Sequence, residues 1–186
     1  MTFDVTFSAE QACFQFVHEA LDGFDPSVRA QLDFVSTGAV SLLALHAGTE
    51  AMLNHMFQVS GRLPSYDECS FRAKVEALGV LVERPVDWGR EPWQSVSNLV
   101  RVRNSLTHYK KRLRGLVSSS NAWLGVPAKG GWSEKDLIRR LTHSEVASAY
   151  RACRVALLTF APLVFAEDWE YEWLQTERFD PLVGDR

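Results

Sequence analysis

From Asp25-Pro26 to Val59 apolar side chains return every three or four residues, and Gly61 closes the run. Residues so spaced share one face of a helix and cannot share one face of a strand. Asp25 and Pro26 suit the cap and first turn of such a helix. Gly38 and Gly48 lie inside it, and each weakens a helix locally. They are expected to mark a kink or a close contact with a neighbouring helix.

The same signature recurs along the chain. Ser8 and Gln11 have capping-box spacing and open a helix expected to reach about Leu21, before Gly23. A short helix is expected over Asp67–Leu78, stopped by Gly79, and a loop from Arg84-Pro85 to Glu91-Pro92. Trp93–Arg114 reads as a further long helix between Pro92 and Gly115. A Ser/Gly-rich loop follows over Gly115–Gly131, and Ser133 with Asp136 begins a short helical turn. Thr142 and Glu145 form a second capping-box signature, opening a helix to about Phe165. The expected fold is therefore all-α: one domain over 1–186, a bundle of four main helices plus short helical segments. Phe3, Val5 and Phe7 alternate and suggest a short strand or arm over 1–7. The acidic, aromatic tail over 167–186 carries Trp169, Tyr171 and Trp173, expected to pack on the bundle with their acidic neighbours toward solvent.

Composition narrows the function. At 186 residues, 46% hydrophobic and 23% charged, the chain can bury a core and is not expected to be disordered. A net charge of -3 argues against a general nucleic-acid coat, so any anion site must come from local clustering. Cys13, Cys69 and Cys153 are odd in number and far apart, which suits reduced thiols buried as fillers. No signal peptide is apparent, and Val155–Ala166 is too short to span a bilayer. A soluble cytoplasmic protein without a membrane partner is expected. No Glu is followed by His three places later, so a carboxylate-bridged metal site is set aside. Phosphate-loop, nucleophile-elbow and HExxH motifs are absent, and neither metal nor cofactor is expected. His18 and His143 read as surface or capping residues, and His55 as structural.

Between Glu91 and Glu134 there is no acidic residue, while Arg101, Arg103, Lys110, Lys111, Arg112, Arg114 and Lys129 fall within. On a helical wheel Leu99, Val102, Leu106 and Tyr109 face the core. Arg101, Asn104 and His108 fall on the opposite face, and Arg103 on the edge between. His can move a proton near neutral pH, and Arg offers a fork matched to phosphate oxygens. The same side chains would also serve as a solvated face with basic residues at the negative end of the helix.

Arg103-Asn104-x-x-x-His108, led in by Leu99-Val100, resembles the Arg-x4-6-His motif of HEPN domains. Leu42–Asn54 is similar to a helix of that family carrying an apolar run, a Glu and then an Asn. Ser70–Leu78 resembles its short helix with a Lys before the motif helix. The similarity covers roughly residues 37–166. The resemblance implies a helical bundle that dimerises. Many members are metal-independent ribonucleases of toxin–antitoxin, CRISPR-associated or anti-phage systems; others are inactive binding modules. It implies catalytic roles for Arg103, Asn104 and His108, with RNA as substrate and a 2′,3′-cyclic phosphate as product. A homodimer would complete the site, and an antitoxin or other regulatory protein is a further expected partner. Arg101, Tyr109, Lys110 and Lys111 are the candidate substrate contacts. One toxin branch carries a modified Tyr two places after the His; this chain has Lys110 there, so that regulation is not expected. His46, Glu50 and Asn54, four apart on one helix face, are expected either to stand behind the motif, with Glu50 touching Arg103, or to form a plain polar strip. The alternative overall is an inactive HEPN-like module that binds a nucleotide or a partner, and a third reading is a plain helical interaction protein.

Overall fold

The computed structural model describes residues 8–24, 28–61, 68–116, 134–167 and 170–175, except for the side chains of 28–33, 108–116 and 134–136. Gly115, expected to open the loop after α4, is still helical, while the expected arm over 1–7, the Asp25-Pro26 cap, residues 117–131 of the expected loop, Trp169 and the end of the tail lie outside the described residues. So do the side chains of His108, Tyr109, Lys110 and Lys111. Among the described residues all regular structure is helical: α1 (Ala9–Asp22), α2 (Val28–Ser60), α3 (Phe71–Leu81), α4 (Trp93–Leu116), α5 (Glu134–Arg139), α6 (His143–Val164) and α7 (Glu172–Gln175). None of these helices is long and apolar enough to cross a membrane.

The 33-residue α2 is the axis of the bundle. It packs against α1, α3, α4 and α6, and α4 packs against both α2 and α6. Its inward face buries Leu45, Met52, Leu53, Met56 and Phe57 completely or nearly so. They meet Phe14 and Val17 of α1, Leu99 of α4 and Tyr150, Leu157 and Phe160 of α6 in one core. Each such side chain contributes roughly 1.5–3 kcal/mol on removal from water.

Both α2 glycines are places of close approach. A Cβ on Gly38 would overlap the main-chain carbonyl oxygen of Leu141. A Cβ on Gly48 would sit 2.7 Å from the Cβ of Cys13 and 3.2 Å from the Glu10 carbonyl oxygen. The helix accepts the local weakness of glycine because only hydrogen lets α1 and the start of α6 come this near.

Two helix starts differ in detail. Ser8 caps α1 as expected, accepting a hydrogen bond from the Gln11 N–H at 3.3 Å. Helix α6 starts at the expected place, but its capping box does not close. Thr142 Oγ1 donates to the Arg139 carbonyl at 3.3 Å, and Glu145 accepts from Arg140 Nη1 at 2.8 Å. A charged donor binds a carboxylate more strongly than a backbone N–H does, so Arg140 captures the Glu.

Helix α3 departs further from expectation. It starts at Phe71, capped by Ser70, and runs through Gly79 to Leu81. Gly79 permits the turn that follows, since a Cβ there would lie 2.7 Å from the Arg84 carbonyl oxygen. The Arg84 N–H returns to the Gly79 carbonyl at 2.8 Å and the Glu83 N–H to Val80 at 3.3 Å. This is a Schellman end, in which the left-handed residue is usually glycine. Here it is Glu83, with φ of 56°. The left-handed region costs an L-residue roughly 1–2 kcal/mol, partly offset by the greater freedom glycine has when unfolded. Glu83→Gly is therefore expected to stabilise the fold by about 0.5–1 kcal/mol, read as a higher urea midpoint.

Tyr171 and Trp173 pack as expected. Trp173 meets Phe14 edge-on at 5.3 Å between centroids, and Tyr171 stacks on Phe165 at 6.1 Å. Buried Arg154 of α6 fastens this segment, donating from Nε and Nη2 to the Leu174 carbonyl at 3.0 and 2.7 Å. His18 is buried rather than superficial, with Nε2 3.2 Å from Asp22. His143 Nε2 lies 3.1 Å from the Leu21 carbonyl oxygen and its ring stacks on Phe24, so it ties α6 to the end of α1. His55 is structural as expected, bound to Glu10 at 3.0 Å and set against Phe165. Of the cysteines only Cys153 is a buried filler, its thiol pushed up to about 12 by burial. Cys13 is half-buried. Cys69, just before α3, is exposed.

Candidate functional site

The wheel drawn on α4 holds for every side chain described. Leu99 and Val102 are buried and Leu106 is half-buried against the core. Arg101 and Asn104 are exposed, and Arg103 is half-buried at the edge. Arg103 Nη1 donates to Asn104 Oδ1 at 3.1 Å, which sets the guanidinium beside the amide. Thr107 turns its hydroxyl back to the Arg103 carbonyl at 3.0 Å. His108 occupies the next turn of the same helix, four residues after Asn104.

Behind Arg103 stands a polar group drawn from two further helices. Lys74 of α3 is 3% exposed, and its Nζ donates to Glu50 Oε1 of α2 at 2.8 Å. His46, one turn earlier on α2, is also buried; its Nδ1 lies 3.8 Å from Glu50 Oε2 and its ring 5.0 Å from that of Phe71. Burial pulls the His46 pKa below the ordinary imidazole value; Glu50 raises it, and Arg103 and Lys74 lower it again. Burial and the two cations outweigh the carboxylate, so His46 is neutral at pH 7 and its contact with Glu50 is not a full ion pair. Helices α2 and α4 pack against each other, and this brings Arg103 within electrostatic reach of His46.

The expected touch between Glu50 and Arg103 is not made: among the described residues, the carboxylate goes to Lys74 instead. The primary amine reaches it from α3 at hydrogen-bond distance, and Arg103 turns to Asn104. Asn54 continues the α2 strip by one turn, its Oδ1 buried with no hydrogen-bond partner among the described residues. The structure thus joins Glu50 to Lys74 and His46, joins Arg103 to Asn104, and sets Arg103 within electrostatic reach of His46. Lys74 is the member that the sequence reading did not select as a site residue. Its signal was legible, since Phe71, Lys74, Val75 and Leu78 form an i, i+3, i+4, i+7 inward face with one charge in it. A charge at such a position must find a partner.

The lowered His46 pKa has a consequence for stability. The unfolded chain binds a proton near pH 6.5, while the folded chain resists it. The unfolded state then binds more protons, so stability falls as pH drops below about 6.5 and levels off once folded His46 is itself protonated. Thermal melts at pH 7.5 and 5.5 should show this loss, and His46→Gln should reduce it. Arg103→Gln should move the His46 imidazole NMR titration to higher pH.

Three helices thus meet here: neutral His46 and the Lys74–Glu50 pair stand behind, and the half-buried Arg103 guanidinium carries the positive charge at the α4 edge. The arrangement suits an anion. In class the protein is an all-helical bundle. The chain matches no family model, no curated protein and no solved structure.

Proposed function

We propose that this protein is a HEPN-like, metal-independent endoribonuclease of a toxin or anti-phage type, acting in the cytoplasm through a site completed by a second copy. The observation that supports it most is Arg103 with Asn104 on the outward edge of α4, backed by the buried Lys74–Glu50 pair. Glu50 is kept by Lys74, so among the described residues no carboxylate pairs with Arg103, which remains suited to a phosphate.

In this reading the RNA 2′-oxygen attacks the adjacent phosphorus and the bond to the 5′-oxygen breaks. His108 of one copy takes the 2′-OH proton, and the same histidine of the second copy gives one to the leaving oxygen. Arg103 stabilises the charge that builds on the phosphoryl oxygens. Asn104 fixes the geometry through its bond to Arg103. Arg101, Tyr109, Lys110 and Lys111 guide the RNA strand, and an antitoxin or other regulatory protein would act by covering this basic face. One chain carries a single His108, which is why a pair of chains is needed.

The test is cleavage of end-labelled RNA in EDTA, with wild type and His108→Ala side by side. The expected products carry a 2′,3′-cyclic phosphate and a 5′-hydroxyl. Full cleavage by the folded variant would sink the assignment. RNA or nucleotide binding by wild type without cleavage would support the inactive binding module instead.

A further inference from the structure

The proposed reaction leaves the buried His46 without a task. Its ring lies 5.0 Å from that of Phe71, where α2 meets α3. The charged groups that act on it come from three helices: Glu50 on α2, Lys74 on α3 and Arg103 on α4. Glu50 uses its two oxygens unequally. Oε1 accepts from Lys74 Nζ at 2.8 Å. Oε2 stands 3.8 Å from His46 Nδ1, beyond hydrogen-bond reach, and accepts from no other group among the described residues. A protonated imidazole donates from both nitrogens, and a move of about 1 Å would close Nδ1 onto Oε2. Burial and the charges of Lys74 and Arg103 oppose that proton. Lys74 is shut inside the bundle, whereas Arg103 is half-buried at the α4 edge. An anion seated on Arg103 would cancel its share of the opposition.

We propose that anion binding at Arg103 and proton uptake by His46 are linked, so that the site gains a second cation as it takes hold of a phosphate or sulfate group. This rests on the reading of Arg103 as a phosphate contact. The proton comes from solvent. The Nδ1–H of the imidazolium then closes on Glu50 Oε2 while Lys74 stays on Oε1, so one carboxylate serves two cations. Such linkage is reciprocal: the anion favours the protonated ring by the same factor as the protonated ring favours the anion. The Glu50 side chain is 32% exposed, so solvent and salt keep the coupling modest. The expected rise in the His46 midpoint is about 0.3–0.5 pH unit, equivalent to about two- to threefold tighter anion binding. RNA would be held more tightly as the pH falls below neutrality, through a side chain that does not touch it.

The test follows the His46 imidazole signals of the full chain by NMR, from about pH 8 down to the acid limit of the fold. His46→Gln assigns the signals. The titration is run in sodium sulfate and in sodium chloride of equal ionic strength, since sulfate keeps its own charge across this range. The His46 midpoint should rise in sulfate relative to chloride, while His18 and His143 do not respond. In folded Arg103→Gln the midpoint should already be higher, and sulfate should add nothing. In His108→Ala the sulfate shift should persist. Equal midpoints in the two salts, a sulfate shift that survives in Arg103→Gln or is lost in His108→Ala, or a His46 that stays neutral until the chain unfolds would each overturn the inference. RNA cleavage with an unmoved His46 would remove the linkage and keep the ribonuclease. A moved His46 in a chain that leaves RNA intact would do the reverse.

Discussion

Glu50→Ala should lower the free energy of unfolding by about 2–3 kcal/mol, whereas Lys74→Met should cost less than about 1 kcal/mol. The asymmetry follows from where the two charges sit. Lys74 is 3% exposed, while the Glu50 side chain is 32% exposed. Removing Glu50 strands an ammonium group among Phe71, Val75 and Leu78 with no water to take over. Removing Lys74 leaves a carboxylate that water already reaches, and methionine fills most of the volume lost. The double variant Glu50→Leu/Lys74→Met should unfold within about 1 kcal/mol of wild type, because a matched apolar pair can replace a buried ion pair. For a chain of this size 2–3 kcal/mol corresponds to roughly 5–10 °C in Tm. Thermal and urea melts of the four proteins check it. A larger loss for Lys74→Met than for Glu50→Ala would mean that the pair does not sit as described.

The second large effect concerns the proposed reaction. His108→Ala should slow RNA cleavage by about 10²–10⁴-fold, the range for loss of a positioned proton-transfer group. Arg103→Ala should slow it by about 10²–10³-fold, as for the loss of one donor to a developing anion. Arg103→Lys keeps the charge but loses the fork and the bond to Asn104, so it should recover only part of the rate. Lys74→Met separates positioning from chemistry. It should reduce the rate without moving the pH dependence set by His108, because it acts only through Glu50 and the α4 edge. If folded wild-type chain leaves RNA intact under conditions that permit dimerisation, the ribonuclease proposal is lost.

Much of the fold was legible because helix signals are local. Ser8 before α1, Pro92 before α4 and the apolar spacing of α2 each act within one or two turns, and those helices lie where these residues predict. Local signals misled where a distant group competed for the same atoms. Glu145 has box spacing from Thr142, yet Arg140 takes its carboxylate. Gly79 reads as a stop, yet the helix passes through it because the chain folds back onto that residue.

The candidate site divides the same way. Spacing alone placed Arg103, Asn104 and Leu99 on their proper faces of α4, since the helical period requires no knowledge of the neighbours. Spacing likewise put His46 and Glu50 on one strip of α2. Which cation meets Glu50 could not be read from spacing, because Lys74 and Arg103 approach it from different helices. Only the packing of α3 and α4 against α2 decided that, through reach and burial: the amine of Lys74 arrives at 2.8 Å inside the bundle, while Arg103 stays at its edge beside Asn104. The sequence by itself determined a helical bundle with a basic motif helix. The tertiary structure decided which charges are paired behind that helix, because contacts between distant segments depend on how the helices pack and not on their local order.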